Sequence, residues 1–199
     1  MDDKELNPQE SLALIETMIN RVKNRFNEDG FQYILWGWVV LICAVAQFIL
    51  VKFFAYPKHY LVWHFIWVAV VIQTVYVWRK KKQRKVKTYM DEIIFYIWIA
   101  YLVMAFLFSY VIGAVAGDEY YRYISPIMLT SYGMPVFLSG IILRFRPLTI
   151  GGIGCWVLAP LSVYLSFEYS FLTPAVAMLI AWIVPGYLLR AKSRSEALL

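Results

Sequence analysis

Hydrophobic and polar positions divide the chain into one short amphipathic segment followed by six long apolar ones. After a charged tail, residues 1–6, the run Asn7-Pro8-Gln9-Glu10 predicts a helix start. Asn7 is the N-cap, Pro8 takes the first helical position where a missing N–H costs nothing, and Glu10 completes a capping box. Glu28-Asp29-Gly30 ends this helix after residue 27. Leu12, Ile15, Ile19, Val22 and Phe26 recur every third or fourth position, so they share one stripe, which Leu14 and Met18 widen. Glu10, Glu16, Asn20, Lys23, Asn24 and Asn27 cover the other face. Three settings suit such a helix. It lies on the membrane surface with Arg21, Lys23 and Arg25 near anionic head groups, it packs on the cytoplasmic ends of spanning helices, or it pairs with a partner or a second copy.

Beyond Gly30 the pattern changes. Apolar stretches of about 20 residues follow, the length that crosses a bilayer as a helix. They are expected at 32–54, 59–78, 92–115, 124–143, 148–167 and 171–189. The basic stretch Trp78-Arg79-Lys80-Lys81-Lys82-Gln83-Arg84-Lys85-Val86-Lys87 sits between the second and third. Such a cluster does not cross a bilayer and marks the cytoplasmic side. On that orientation, four Lys and Arg lie in the N-terminal segment, seven in this stretch, two at Arg144 and Arg146, and three in the C-terminal tail. Lys52, Lys58 and Arg122 alone fall outside. The bias predicts both termini in the cytoplasm, and the first span serves as an uncleaved signal anchor. The predicted fold is therefore all-α: six transmembrane helices as three hairpins, preceded by an amphipathic cytoplasmic helix. The domain division is 1–30, 31–190 and a cytoplasmic tail, 191–199.

Composition agrees with this. The chain is 61% hydrophobic with a mean hydropathy of +0.61, against roughly 45–50% apolar usage in soluble domains. A soluble core of 199 residues does not hide that much apolar surface. The net charge of +6 flanks apolar segments, which argues for membrane orientation over nucleic-acid binding. Cys43 and Cys155 lie inside apolar segments with no Cys/His ligand spacing, so neither a disulfide framework nor a zinc site is indicated.

Each return helix ends in a basic cluster. The fourth and sixth spans also share a Ser/Thr-Pro start, Ser125-Pro126 and Thr173-Pro174, and an internal proline, Pro135 and Pro185. Hairpin duplication produces such a likeness, but membrane topology alone accounts for the basic ends, and proline is ordinary at a helix start. Pro135 and Pro185 are expected to kink their helices and free a carbonyl one turn earlier. Small residues mark helix contacts. Gly151, Cys155, Ala159, Ser162 and Ser166 share a face of the fifth span; Thr130, Gly133 and Gly140 do so in the fourth, and Ala177, Ala181 and Pro185 in the sixth.

Several runs together carry a resemblance: Asn7-Pro8-Gln9-Glu10-Ser11-Leu12, Gly30-Phe31-Gln32-Tyr33-Ile34-Leu35-Trp36-Gly37-Trp38, Ser139-Gly140-Ile141-Ile142-Leu143-Arg144-Phe145-Arg146-Pro147-Leu148, Gly151-Gly152-Ile153-Gly154-Cys155-Trp156 and Pro185-Gly186-Tyr187-Leu188-Leu189. Over nearly its whole length the chain resembles a family of small six-helix bacterial inner-membrane proteins with no assigned activity. The resemblance implies that location and helix count, and transfers no catalytic or binding residue.

No acidic residue, Lys or Arg falls mid-membrane, which counts against ion-coupled transport and intramembrane proteolysis. No serine has a histidine–acid partner. Gly151-Gly152-Ile153-Gly154 lies in a span, where its glycines serve packing better than phosphate binding. The ligand-contacting candidates are His64, Ser131 and Tyr132. His64 also reads as an interfacial histidine beside Trp63 and Trp67, and Ser131 and Tyr132 as structural hydrogen-bonding groups before the Gly133-Met134-Pro135 kink. Gln47, Gln73 and Thr74 are candidates for bonds between helices.

The expected function is that of a non-enzymatic interaction or accessory membrane component. It has no cofactor and no nucleic acid, and its partners are the lipid bilayer and a protein or second copy reached through the N-terminal helix. The alternative is a small transporter or channel for a neutral or lipophilic solute.

Overall fold

The computed structural model describes residues 30–81 and 89–197. The expected N-terminal helix, with its stripe Leu12, Ile15, Ile19, Val22 and Phe26, lies outside the described residues, as does most of the basic stretch. The described residues are helical with short connections and no strand. Six helices are long and apolar enough to cross a membrane.

The first, α1 (Phe31–Lys52), starts at Gly30, whose φ of 66° is left-handed. A 3-10 segment, His59–His64, precedes α2 (Phe65–Lys81). Helix α3 covers Tyr89–Ala116, and a 3-10 turn, Gly117–Glu119, leads into α4 (Tyr120–Ile142). Tyr120 to Tyr123, which the hydropathy pattern places in a loop, are thus helical, and Pro126 lies inside the helix instead of at its start. The turn to α5 (Arg146–Tyr164) is tight. Arg144 takes a left-handed φ of 51°, and the amides of Arg144 and Phe145 donate back to the carbonyls of Ile141 (3.0 Å) and Gly140 (2.8 Å). This is the double bond pattern of a Schellman cap. It stops α4 and sends α5 back antiparallel beside it.

The sixth span, Phe167–Lys192, is interrupted. It comprises α6 (Phe167–Ser170), α7 (Leu172–Met178), one π-helical turn (Leu179–Ile183) and α8 (Val184–Ala197). The interruption has a cause in the sequence. Pro185 has no N–H, and its ring crowds the carbonyl four residues earlier, that of Ala181. A wider turn there takes up the misfit.

Glycines fix which spans touch. A Cβ on Gly151 would come within 2.5 Å of the Ala181 Cα, one on Gly152 within 2.7 Å of the Phe137 backbone, and one on Gly140 within 2.4 Å of the Thr149 amide. Helix α5 is therefore wedged between α4 and the sixth span. On the far side, Gly37 lies against Trp182 and Ile183, and Gly186 against Tyr33 and Ile34, which brings α1 onto the sixth span. Contacts of this kind give helices in lipid their van der Waals attraction. Val136, Leu148, Cys155, Ala159, Ala177 and Ala181 fill the centre.

Helices α2 and α3 are peripheral. Only 6% of each apolar stretch is buried, against 56% for the sixth span. Helix α2 is attached to α1 by the Phe31–Tyr76 ring stack and by the Trp36 indole N–H donating to Gln73. Helix α3 is attached to α4 chiefly through Trp98 and Tyr101. The outward faces carry residues such as Ile42, Leu102, Phe106 and Val115, the reverse of a soluble protein and what a lipid solvent permits.

Candidate functional site

Two regions concentrate polar or aromatic groups. The first is interior. Five rings from four elements meet around the π turn: Tyr33 of α1, Trp98 and Tyr101 of α3, Tyr132 of α4, and Trp182. Trp98 meets Trp182 edge-on at 5.3 Å and 88°, and Tyr132 at 5.8 Å. Tyr33 is 5.3 Å from Trp182, and Tyr101 is 5.5 Å from Tyr132. Edge-to-face pairs at such spacing are favourable beyond area burial. Among the described residues two buried side-chain polar atoms lack a hydrogen-bond partner, Ser139 Oγ of α4 and, within this cluster, the Trp182 indole N–H. Leaving such a donor unpaired costs about 1–3 kcal/mol. π turns often mark functional positions.

The sequence candidates separate here. Tyr132 belongs to the ring cluster and turns its hydroxyl to the Met178 Sδ at 3.6 Å. Ser131 bonds back to its own helix at the Ile127 and Met128 carbonyls, 2.9 and 3.1 Å away. His64 is exposed and contacts the Leu61 carbonyl of its own 3-10 turn at 3.1 Å. The three are not brought together. Thr74 also bonds within its helix, to Val70.

The second region lies at one end of the bundle, where α1 finishes and α4 and the sixth span begin. Gln47, 4% exposed, joins two elements. Its Oε1 accepts from the Trp63 indole at 2.6 Å, and its Nε2 lies 3.0 Å from His59 Nδ1. The His59 ring meets Tyr121 and Phe171. Lys52 pairs with Glu168 and lies 5.3 Å from the Tyr169 ring centroid. Beside this network is a cleft of about 400 Å³ lined by Glu119, Tyr121, Arg122, Leu165, Ser166 and Phe167. Glu119, Arg122 and Glu168 are visible in the sequence as polar residues of one end. Their division into a paired carboxylate and a cleft is not, because it depends on which helices adjoin.

Chemically, the interior cluster offers ring faces and the unpartnered Trp182 N–H. The cleft offers opposite charges beside apolar surface. Among the described residues no three His, Cys, Asp or Glu side chains are placed to hold a metal, and both cysteines are free and buried. No protein-family model matches the chain, and neither a curated protein nor a solved structure compared with it does.

Proposed function

We propose that this chain is a non-enzymatic integral protein of the bacterial inner membrane, with both termini cytoplasmic, that acts as an accessory or regulatory component by binding another protein or a second copy of itself. The observation that carries this reading is the division of packing. Where α4, α5 and the sixth span meet, small residues and rings fill the space, while α2 and α3 fully bury few of their residues. A closed centre favours function at surfaces. The sequence adds two segments of different chemistry suited to a partner, the apolar stripe from Leu12 to Phe26 and the cationic run from Arg79 to Lys87. The likeness of the runs around Gly30–Trp38 and Ser139–Leu148 to small bacterial inner-membrane proteins supports the location. The arrangement as three hairpins with the amphipathic helix on the cytoplasmic side belongs to the same reading.

The test is a pull-down from mild detergent with the full chain and with a chain lacking residues 1–27. Recovery of partners, or self-association, is expected to fall on truncation. Identical recovery from both chains overturns the role of the N-terminal helix.

A second reading, a carrier for a neutral or lipophilic solute, is favoured by the π turn and the unpartnered Trp182 N–H beside Tyr132. It requires that Trp182→Phe and Tyr132→Phe alter solute flux into liposomes.

A further inference from the structure

We propose that the cleft between the start of α4 and the end of α5 binds a phosphate zwitterion bearing a primary amine, the head-group chemistry of phosphatidylethanolamine. Its volume of about 400 Å³ suits a small ligand group. Arg122 presents a planar fork matched to two phosphate oxygens. Glu119 supplies the complementary carboxylate for an ammonium. Glu119 and Arg122 are three residues apart across the junction of the 3-10 turn and α4, a spacing at which opposite charges commonly meet. Yet Glu119 and Arg122 do not pair with each other, and the nearby carboxylate Glu168 is taken by Lys52. Both charges in the cleft are therefore left to face a ligand. One guanidinium with one carboxylate favours a zwitterion over an anion of net charge.

The walls hold the site open. Leu165 and Ser166 are extended, with ψ of 147° and 153°, so the chain spreads between α5 and α6 in place of a tight turn. Tyr121 packs on Phe167, which packs on Phe171 at 5.0 Å. Leu165 and Phe167 are half-exposed and give an apolar edge of the kind that receives the glycerol and first methylenes of a lipid. The site sits at a span end crowded with tyrosines, among them Tyr120, Tyr121 and Tyr123, where aromatic residues meet the membrane–water boundary.

The experiment is native mass spectrometry of the full chain released from detergent with equimolar phosphatidylethanolamine, phosphatidylcholine and phosphatidylglycerol. Phosphatidylethanolamine is expected to be retained over the other two by about tenfold, the effect of one charge-assisted hydrogen bond. Arg122→Gln should lose retention, Glu119→Gln should lose the preference for the primary amine, and Arg146→Gln, exposed at the opposite end of the bundle, should change neither. Added soluble phosphoethanolamine separates the sources. If it displaces the lipid, the site takes the free zwitterion; if it does not, the lipid itself is the ligand, and the proposal stands in both cases. Equal retention of the three lipids by the wild-type chain, which needs no variant to fold, overturns it. A preference that survives both Glu119→Gln and Arg122→Gln does the same.

Discussion

At the scale of single residues, two glycines of identical chemistry make opposite predictions. Gly133 of α4 faces the Trp156 indole, where an added Cβ would come within 2.5 Å of Nε1. That same indole donates across the helix pair to the Thr130 carbonyl at 3.0 Å. The missing side chain at Gly133 is what lets a large ring reach the backbone one turn away. Gly133→Ala is expected to displace Trp156, break this bond and destabilise the protein by about 1–3 kcal/mol, an overpacking cost. Gly113 of α3 has open space around its Cβ position. Gly113→Ala should stabilise by about 0.5–1 kcal/mol through helix propensity alone. Thermal melting in one detergent checks both, and equal shifts for the two would refute the packing argument. Gln47 is the polar counterpart. Replacing it with Leu leaves the Trp63 N–H and His59 without this partner, and a loss of about 0.6–2 kcal/mol is expected in the same assay.

At the scale of elements, the sixth span is the one whose form departs most from a plain helix, and Pro185 is the reason. Pro185→Ala restores an N–H that can bond the Ala181 carbonyl, so the Leu179–Ile183 turn is free to close to α geometry. Closing a π turn removes one residue from the local register and rotates Trp182 away from Trp98 and Tyr33. The expected readout is loss of near-ultraviolet circular dichroism from the ring cluster with the far-ultraviolet signal kept; an unchanged near-ultraviolet spectrum would show that the turn is held by tertiary packing instead. Pro185 itself is plain in the sequence, and so is the expectation of a disturbed helix one turn before it. The form of the disturbance is not, because one extra residue in a turn leaves no periodic trace in an apolar stretch. The same limit explains α4. Tyr120 to Tyr123 are polar enough to look like a loop, yet the helix extends through them, since tyrosine at the head-group level satisfies both an apolar flank and a wet one. The span count, by contrast, was legible, because apolar length is a bulk property that survives local irregularity. The meeting of Tyr33, Trp98, Tyr101, Tyr132 and Trp182 was not, since it joins residues from Tyr33 to Trp182 through helix neighbours that no local pattern encodes.

At the scale of the whole molecule, the antiparallel contacts sort the ends of the bundle into two groups. His59 meets Tyr121 and Phe171, and Lys52 meets Glu168, so these residues share one end. Gly30 lies against Gly186 and Arg190, at the other end of the same α1–sixth-span pair. The cap at Arg144 and Phe145 turns α4 back into α5 away from the end that holds Tyr121 and Phe167. On the orientation proposed above, the end that holds Arg79, Arg144 and Arg190 faces the cytoplasm, and Lys52, Lys58 and Arg122 belong to the opposite end. This orientation is open to direct measurement. The native thiols, Cys43 and Cys155, are each 1% exposed and should stay silent toward a membrane-impermeant maleimide. Lys58→Cys should label in intact cells, whereas Arg146→Cys should label only after the membrane is permeabilised. The reverse pattern would invert the protein and move the Glu119–Arg122 cleft to the cytoplasmic leaflet. Labelling of both without permeabilisation would contradict an arrangement that puts the two positions on opposite sides of the bilayer.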